Sequence, residues 1–182
     1  RNMISQQDGT KAAYFGFLDR YRALPGDYSQ ATTNIPNCVA GTCPNGDGNG
    51  QIASGQESIA SWSHLSKAGF ITGSYNYNAT ESTATTPSNP YGSLTQLIFD
   101  GFYQDASSAT GPNRHNLKTG ANIPSDILAE VDRKVDDGLG NAGQFRYSIF
   151  GSAAAAASCF DTTSGAWQSA TPNANCGGAT LF

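Results

Sequence analysis

Ser54-Gly55-Gln56-Glu57-Ser58-Ile59-Ala60-Ser61-Trp62-Ser63-His64-Leu65-Ser66-Lys67-Ala68-Gly69 carries the strongest helix signal in the chain. Ser54 and Glu57 have capping-box spacing, in which hydroxyl and carboxylate each satisfy a free backbone N–H at the helix start. Ile59, Trp62 and Leu65 recur every three residues, Ala68 follows, and Gly69 supplies a left-handed stop. The spacing predicts a helix at about 56–68 with Trp62 buried on its only apolar stripe.

Upstream, residues 26–53 carry Pro36, Pro44 and a run of glycines, so they read as a loop held by Cys38 and Cys43. Residues 2–23 read as a helix with an apolar stripe of Phe15, Leu18 and Tyr21 beside Tyr14, stopped by Pro25-Gly26. Its opening half, Ile4 to Gly9, is a poor helix alone, as expected if it continues a longer helix preceding Arg1. Downstream, Phe70–Tyr77 and Leu94–Tyr103 have strand composition, separated by a Ser/Thr/Pro-rich surface loop over 79–93. Residues 104–122 read as a polar loop. Pro124-Ser125 predicts the cap of a third helix, with Ile127, Leu128, Val131 and Val135 as its apolar positions and Asp136-Asp137-Gly138 at its end. Gln144–Phe150 alternates as a strand would, placing Phe145, Tyr147 and Ile149 on one face. The tail reads as a disulfide-tied loop with one or two short strands. The expectation is a single α+β unit over residues 1–182: helices packed on an antiparallel sheet.

Composition bounds the function. The net charge is −4 without any basic run, which excludes nucleic acid as a main partner. Only 13% of residues are charged, so the chain is polar through uncharged groups, as secreted surface proteins are. No window approaches 18 apolar residues, so neither a membrane span nor a signal peptide is visible. Cys38, Cys43, Cys159 and Cys176 form two sequence-local pairs flanked by turn formers, and neither spacing is a zinc knuckle. Four cysteines allow three connectivities, and loop-closure entropy favours Cys38 with Cys43 and Cys159 with Cys176. Such bonds belong to an oxidising compartment, the periplasm or the cell exterior.

An enzyme would have to use His64 or His115, the only imidazoles in the chain. No G-x-S-x-G elbow presents a serine, so the two read as a helix-surface histidine and a loop histidine. Asp136-Asp137, neighbours at a helix end, read as turn acceptors rather than a glycosidase pair. Asn78-Ala79-Thr80 fits a glycosylation sequon. The sharper signal is Asn45-Gly46-Asp47-Gly48-Asn49-Gly50-Gln51-Ile52, with oxygen-bearing side chains at alternate positions, as in the front half of a calcium loop. The candidate ligands are Asn45, Asp47, Asn49, the Gln51 carbonyl and Glu57. Neutral Asn45 stands at the first position, and Gln56, rather than an acid, stands at the twelfth. The same residues also make a Gly-Asn-Asp turn cluster beside a disulfide.

Read in order, several segments resemble one family. Phe15-Gly-Phe-Leu-Asp-Arg-Tyr-Arg-Ala-Leu-Pro-Gly-Asp27 is similar to the end of the long N-terminal helix in proteins with a prepilin-type cleavage and methylation signal. Gly46–Ile52 followed by Glu57–Tyr75, then Val131-Asp-Arg-Lys-Val-Asp-Asp-Gly138, and the closing Cys159–Cys176 region also resemble segments of that family, the type IV pilins and pseudopilins. The resemblance implies a pilin-like head with an N-terminal helix on an antiparallel sheet, lacking here the hydrophobic half-helix that precedes it. It implies a non-catalytic subunit of a type IV pilus or of a type II secretion pseudopilus. Its partners would be other pilin-like subunits in a helical filament, and the inner membrane through the missing helix. In some pseudopilins calcium orders a loop of the head, which supports the 45–57 expectation. The alternatives are a secreted adhesin using Tyr75, Tyr77, Tyr91 and Trp167 on glycans, or a hydrolase built on His64 or His115.

Overall fold

The computed structural model describes residues 2–182. Its elements in chain order are α1 (Asn2–Tyr21), α2 (Ala31–Asn34), α3 (Gln56–Lys67), β1 (Gln96–Asp100), β2 (Arg114–Ile123), α4 (Ser125–Val135), β3 (Phe145–Tyr147), α5 (Ala156–Cys159) and β4 (Cys176–Leu181). The fold is α+β with an antiparallel four-stranded sheet ordered β1-β2-β4-β3. Among the described residues no helix is long and apolar enough to cross a membrane. Both disulfides take the sequence-local pairing, Cys38–Cys43 and Cys159–Cys176.

The chain divides into two compact units. The first comprises residues 2–7, 88–95 and 100–182. Its centre is β4, antiparallel to β2 on one side and to β3 on the other. Gly177 lets β4 lie close to β2, since a Cβ there would stand 2.6 Å from the Gly120 carbonyl oxygen. Ile123, Leu128, Val131, Phe145, Tyr147, Phe160 and Trp167 form the core beside the Cys159–Cys176 bond, with Met3 of α1. Aromatic rings meet edge-on or tilted there, Phe160 with Trp167 at 6.4 Å and Tyr147 with Phe160 at 5.5 Å.

The second unit comprises residues 8–87 and 96–99. Phe17 is its hub, 6.0 Å from Tyr28, 6.1 Å from Phe70 and 6.1 Å from the His64 ring. Helix α3 is buried from Glu57 to Leu65 although four of those nine positions are serine or histidine. Its hydroxyls are satisfied within the helix: Ser61 donates to the Ser58 carbonyl at 2.7 Å and Ser63 to Ala60 at 2.8 Å. Trp62 is buried as expected.

Several sequence expectations give way. The stripe of α1 is Met3, Gln7, Tyr14 and Phe17, a 3.5-residue period, whereas Phe15 is exposed. Residues 70–77 form a bend followed by irregular chain rather than a strand, with Gly69 and Gly73 both in left-handed conformations. The expected strand over 94–103 contracts to Gln96–Asp100. The expected loop over 104–122 contains β2, the longest strand, and His115 belongs to it. Polar residues hid this strand. They are buried by internal pairing rather than alternating toward water, with Asn116, Lys118 and Thr119 all inaccessible. Strand β3 covers only Phe145–Tyr147, and Ile149 is exposed. The Ser54–Glu57 box does not form, since Gly55 caps α3 without a side-chain bond. Pro124 holds the α4 cap, and the Ser125 hydroxyl instead accepts the Asn173 N–H at 2.9 Å and donates to the Gln168 carbonyl.

Candidate functional site

Helix α1 ends at Tyr21, and the chain turns through Leu24-Pro25-Gly26 into Asp27. Gly26 is required there: its φ is +86°, and a Cβ would stand 2.1 Å from the Glu57 carbonyl oxygen. This turn delivers the Asp27 carboxylate into the interior, 2% exposed. The glycine-rich loop then folds around it. Asn49 N–H donates to Asp27 Oδ1 at 3.2 Å and Gly50 N–H to Oδ2 at 2.9 Å, while Gly48 N–H reaches the Asp27 carbonyl at 2.8 Å. Gly46 passes so close to the Asp27 backbone that a Cβ would lie 2.3 Å from its carbonyl carbon.

Glu57 closes the loop from the other side. Its two oxygens accept the Asp47 and Ala53 N–H groups, each at 2.9 Å. This replaces the expected capping box, because Glu57 reaches back to Ala53 rather than to Ser54. The carboxylate oxygens of Asp27, Asp47 and Glu57 thereby lie within 4.8 Å of one another. Burial pushes Asp27 up to about 6, helped by its hydrogen bond with Asp47 and the charge of Glu57. The Gly50 and Asn49 N–H groups oppose that rise. Asp47 moves the other way, held down first by its bond to Asp27 and then by the Asn49 N–H. The two shifts are opposite, so as pH falls the first proton is taken up by Asp27 rather than by Asp47.

His64 fixes the frame around this cluster. Its Nδ1 accepts the Gly26 N–H at 2.8 Å, which leaves Nε2 to donate to the Pro44 carbonyl at 2.7 Å. The ring is fully buried, not on the helix surface as the sequence suggested, and burial lowers its pKa to about 4. Both nitrogens are engaged, so His64 has none to offer a nucleophile.

Of the five expected calcium ligands, the structure brings Asp47 and Glu57 together and adds Asp27, which sequence reasoning missed. Asn45 Oδ1 instead accepts the Thr32 N–H at 2.9 Å, and Asn49 Oδ1 the Gln51 N–H at 2.9 Å. Gln51 is exposed. Asp27, Asp47 and Glu57 together present three carboxylate oxygens at one point of this unit, within 4.8 Å of one another.

A second carboxylate group ends α4. Asp132, Asp136 and Asp137 also have oxygens within 4.8 Å. Asp132 is buried and accepts the Trp167 indole N–H at 2.7 Å and the Gly138 N–H at 3.2 Å. Burial, with the neighbouring charges of Asp137 and Asp136, raises it to about 7 against those two bonds. Asp137 accepts the Leu139 N–H at 2.9 Å and Asp136 those of Gln144 and Phe145, the latter at 3.1 Å, as turn acceptors do. Trp167 is thus a core residue, not a glycan-binding surface aromatic. No family model, no curated protein and no solved structure matches the chain.

Proposed function

We propose that this chain is a non-catalytic structural subunit of an extracellular or periplasmic filament, of the type IV pilus or type II secretion pseudopilus kind. The observation that supports it most is the order of parts: a 20-residue α1 running into Leu24-Pro25-Gly26-Asp27, then a sheet-containing region closed by the Cys159–Cys176 bond. The disulfides fit an oxidising compartment. Its partners would be further pilin-like subunits in a helical array, and the inner membrane through an apolar segment ahead of Arg1. The carboxylate cluster around Asp27 would tie the end of α1 to its glycine-rich loop, with Asp27, Asp47 and Glu57 as the oxygens for a weakly bound calcium.

The adhesin alternative loses Trp167 to the core, while Tyr91 stays 39% exposed. The test is direct. Filaments sheared from the source bacterium and pelleted should contain this chain by antibody labelling, and its reading frame should place a Gly-ending leader and about 20 apolar residues ahead of Arg1. Recovery of the chain only as a free soluble monomer, with no such segment encoded, overturns the filament assignment.

A further inference from the structure

Strand β2 carries Asn116 and Lys118 two positions apart, so both side chains leave the same face. Both are buried, Asn116 completely and Lys118 at 1% exposure. They converge on Asp100, the last residue of β1. Lys118 Nζ lies 2.8 Å from Asp100 Oδ1, and Asn116 Nδ2 donates to the same oxygen at 3.0 Å. The Asn116 amide is fixed in orientation, because Nδ2 also donates to the Arg114 carbonyl at 3.0 Å and to the Asp100 carbonyl at 3.3 Å. Its Oδ1 is buried without a hydrogen-bond partner. A buried acceptor left unmet is costly, and a buried ammonium more so. Desolvation lowers the Lys118 pKa, with the charge of Asp100 opposing.

We propose that Lys118, Asn116 and Asp100 form a self-crosslinking site, in which Lys118 Nζ becomes amide-bonded to Asn116 Cγ and ammonia is released. Asp100 takes a proton from the Lys118 ammonium, freeing the Nζ lone pair. Nζ adds to Cγ, and the carbonyl electron pair moves onto Oδ1. Asp100 passes its proton to Nδ2, the Cγ–Nδ2 bond breaks with its electron pair leaving on nitrogen, and the carbonyl re-forms. The remaining extra proton on Nζ returns through Asp100 and leaves with ammonia as ammonium. One ammonium and one primary amide become one secondary amide and one free ammonium, so charge and atoms balance with no oxidant or co-reactant. The product removes the positive charge from the interior, and Asp100 keeps the Phe102 N–H at 3.3 Å.

The experiment is intact-mass measurement of the purified, non-reduced protein. The wild-type mass should fall below that of the sequence with two disulfides by one ammonia. Tryptic digestion should fail after Lys118, and fragmentation should place the loss within His115–Lys118. Lys118→Met, which keeps the chain length and removes the charge, and Asp100→Ala should both restore the full mass. The wild-type protein alone decides the question, whether or not the variants fold well. A full wild-type mass overturns the proposal. Loss of one water joining Lys118 to Asp100 also overturns it, since Asp100 would then be reactant rather than proton carrier. Loss of ammonia with normal cleavage after Lys118 overturns it too, because that is cyclisation of Asn116 onto its own backbone.

Discussion

His64 should make the protein acid-sensitive in a defined window. Its folded-state pKa is about 4, below the 6.5 of an exposed imidazole. Between those values the unfolded chain binds more protons than the folded one, so stability rises with pH across the window and is fully present above about 6.5. The displacement corresponds to about 3 kcal/mol at about 1.4 kcal/mol per pKa unit. Two carboxylic acids act in the opposite sense. Asp27 and Asp132 are raised to about 6 and 7, so their protonated forms favour folding as pH falls. The wild-type profile alone therefore understates the histidine, and the informative quantity is the difference between wild type and His64→Gln. At pH 7 that substitution breaks the Gly26 and Pro44 hydrogen bonds and the stacking on Phe17, and should cost about 2 to 4 kcal/mol in urea unfolding. The cost should shrink steadily as pH falls from 6.5 to 4. A cost that stays constant over that range, or an imidazole that titrates near 6.5 by NMR in the folded protein, would refute the buried, neutral assignment.

Trp62→Ala should cost about 3 to 5 kcal/mol, because the side chain is 2% exposed; a loss below about 1 kcal/mol would mean its face is open to solvent. Replacing Cys159 and Cys176 together by alanine should cost about 3 kcal/mol and loosen residues 160–175 more than α3 in hydrogen exchange. Melting temperature should rise in millimolar calcium relative to chelator, with a dissociation constant of roughly 10⁻⁴ to 10⁻³ M, and Asp47→Ala should remove the rise. Identical wild-type melting in both conditions would make the 45–57 segment a plain turn. Gly26→Ala should be more damaging than Gly9→Ala, since a Cβ at Gly9 meets nothing within 4 Å whereas one at Gly26 meets backbone at 2.1 Å. Equal thermal shifts for the two would contradict the close approach of Gly26 to α3.

The sequence made legible those elements whose burial is one-sided. Helix α4 has Leu128 and Val131 buried and Glu130 and Lys134 paired in solvent, so its period was plain. Helix α3 was found for a partly wrong reason. Its apolar positions mark one stripe, but the helix is buried nearly all round, and its serines Ser58, Ser61 and Ser63 are closed onto their own backbone. Strand β2 failed for the same cause in a different geometry. A strand whose interior positions are Asn116, Lys118 and Thr119 shows no alternation, and its stability depends on partners such as Asp100, distant in sequence. Polarity is a poor guide to exposure wherever the polar group has a partner supplied by tertiary structure.

The carboxylate cluster shows the same limit at the site. Asp47 and Glu57 were visible because one sits in the glycine-rich stretch and the other in the first turn of the helix that follows it. Asp27 was not, because it lies 20 residues from Asp47 and nothing in the local Pro25-Gly26-Asp27 sequence marks its carboxylate as buried. What reveals it is a geometric demand: at both Gly26 and Gly46 a Cβ would strike backbone, and these two close approaches bring the end of α1, the loop and α3 together around one side chain. Asp27 then accepts two loop N–H groups through its carboxylate and a third through its carbonyl. Replacing it by asparagine leaves one side-chain acceptor for two donors, so one of Asn49 and Gly50 would face an amide N–H. The loop should therefore open in Asp27→Asn even without any metal, with faster hydrogen exchange at residues 47–51 in calcium-free buffer. Unchanged exchange there would show that Gly46 and Glu57 alone hold the loop, and Asp27 would no longer be its organising residue.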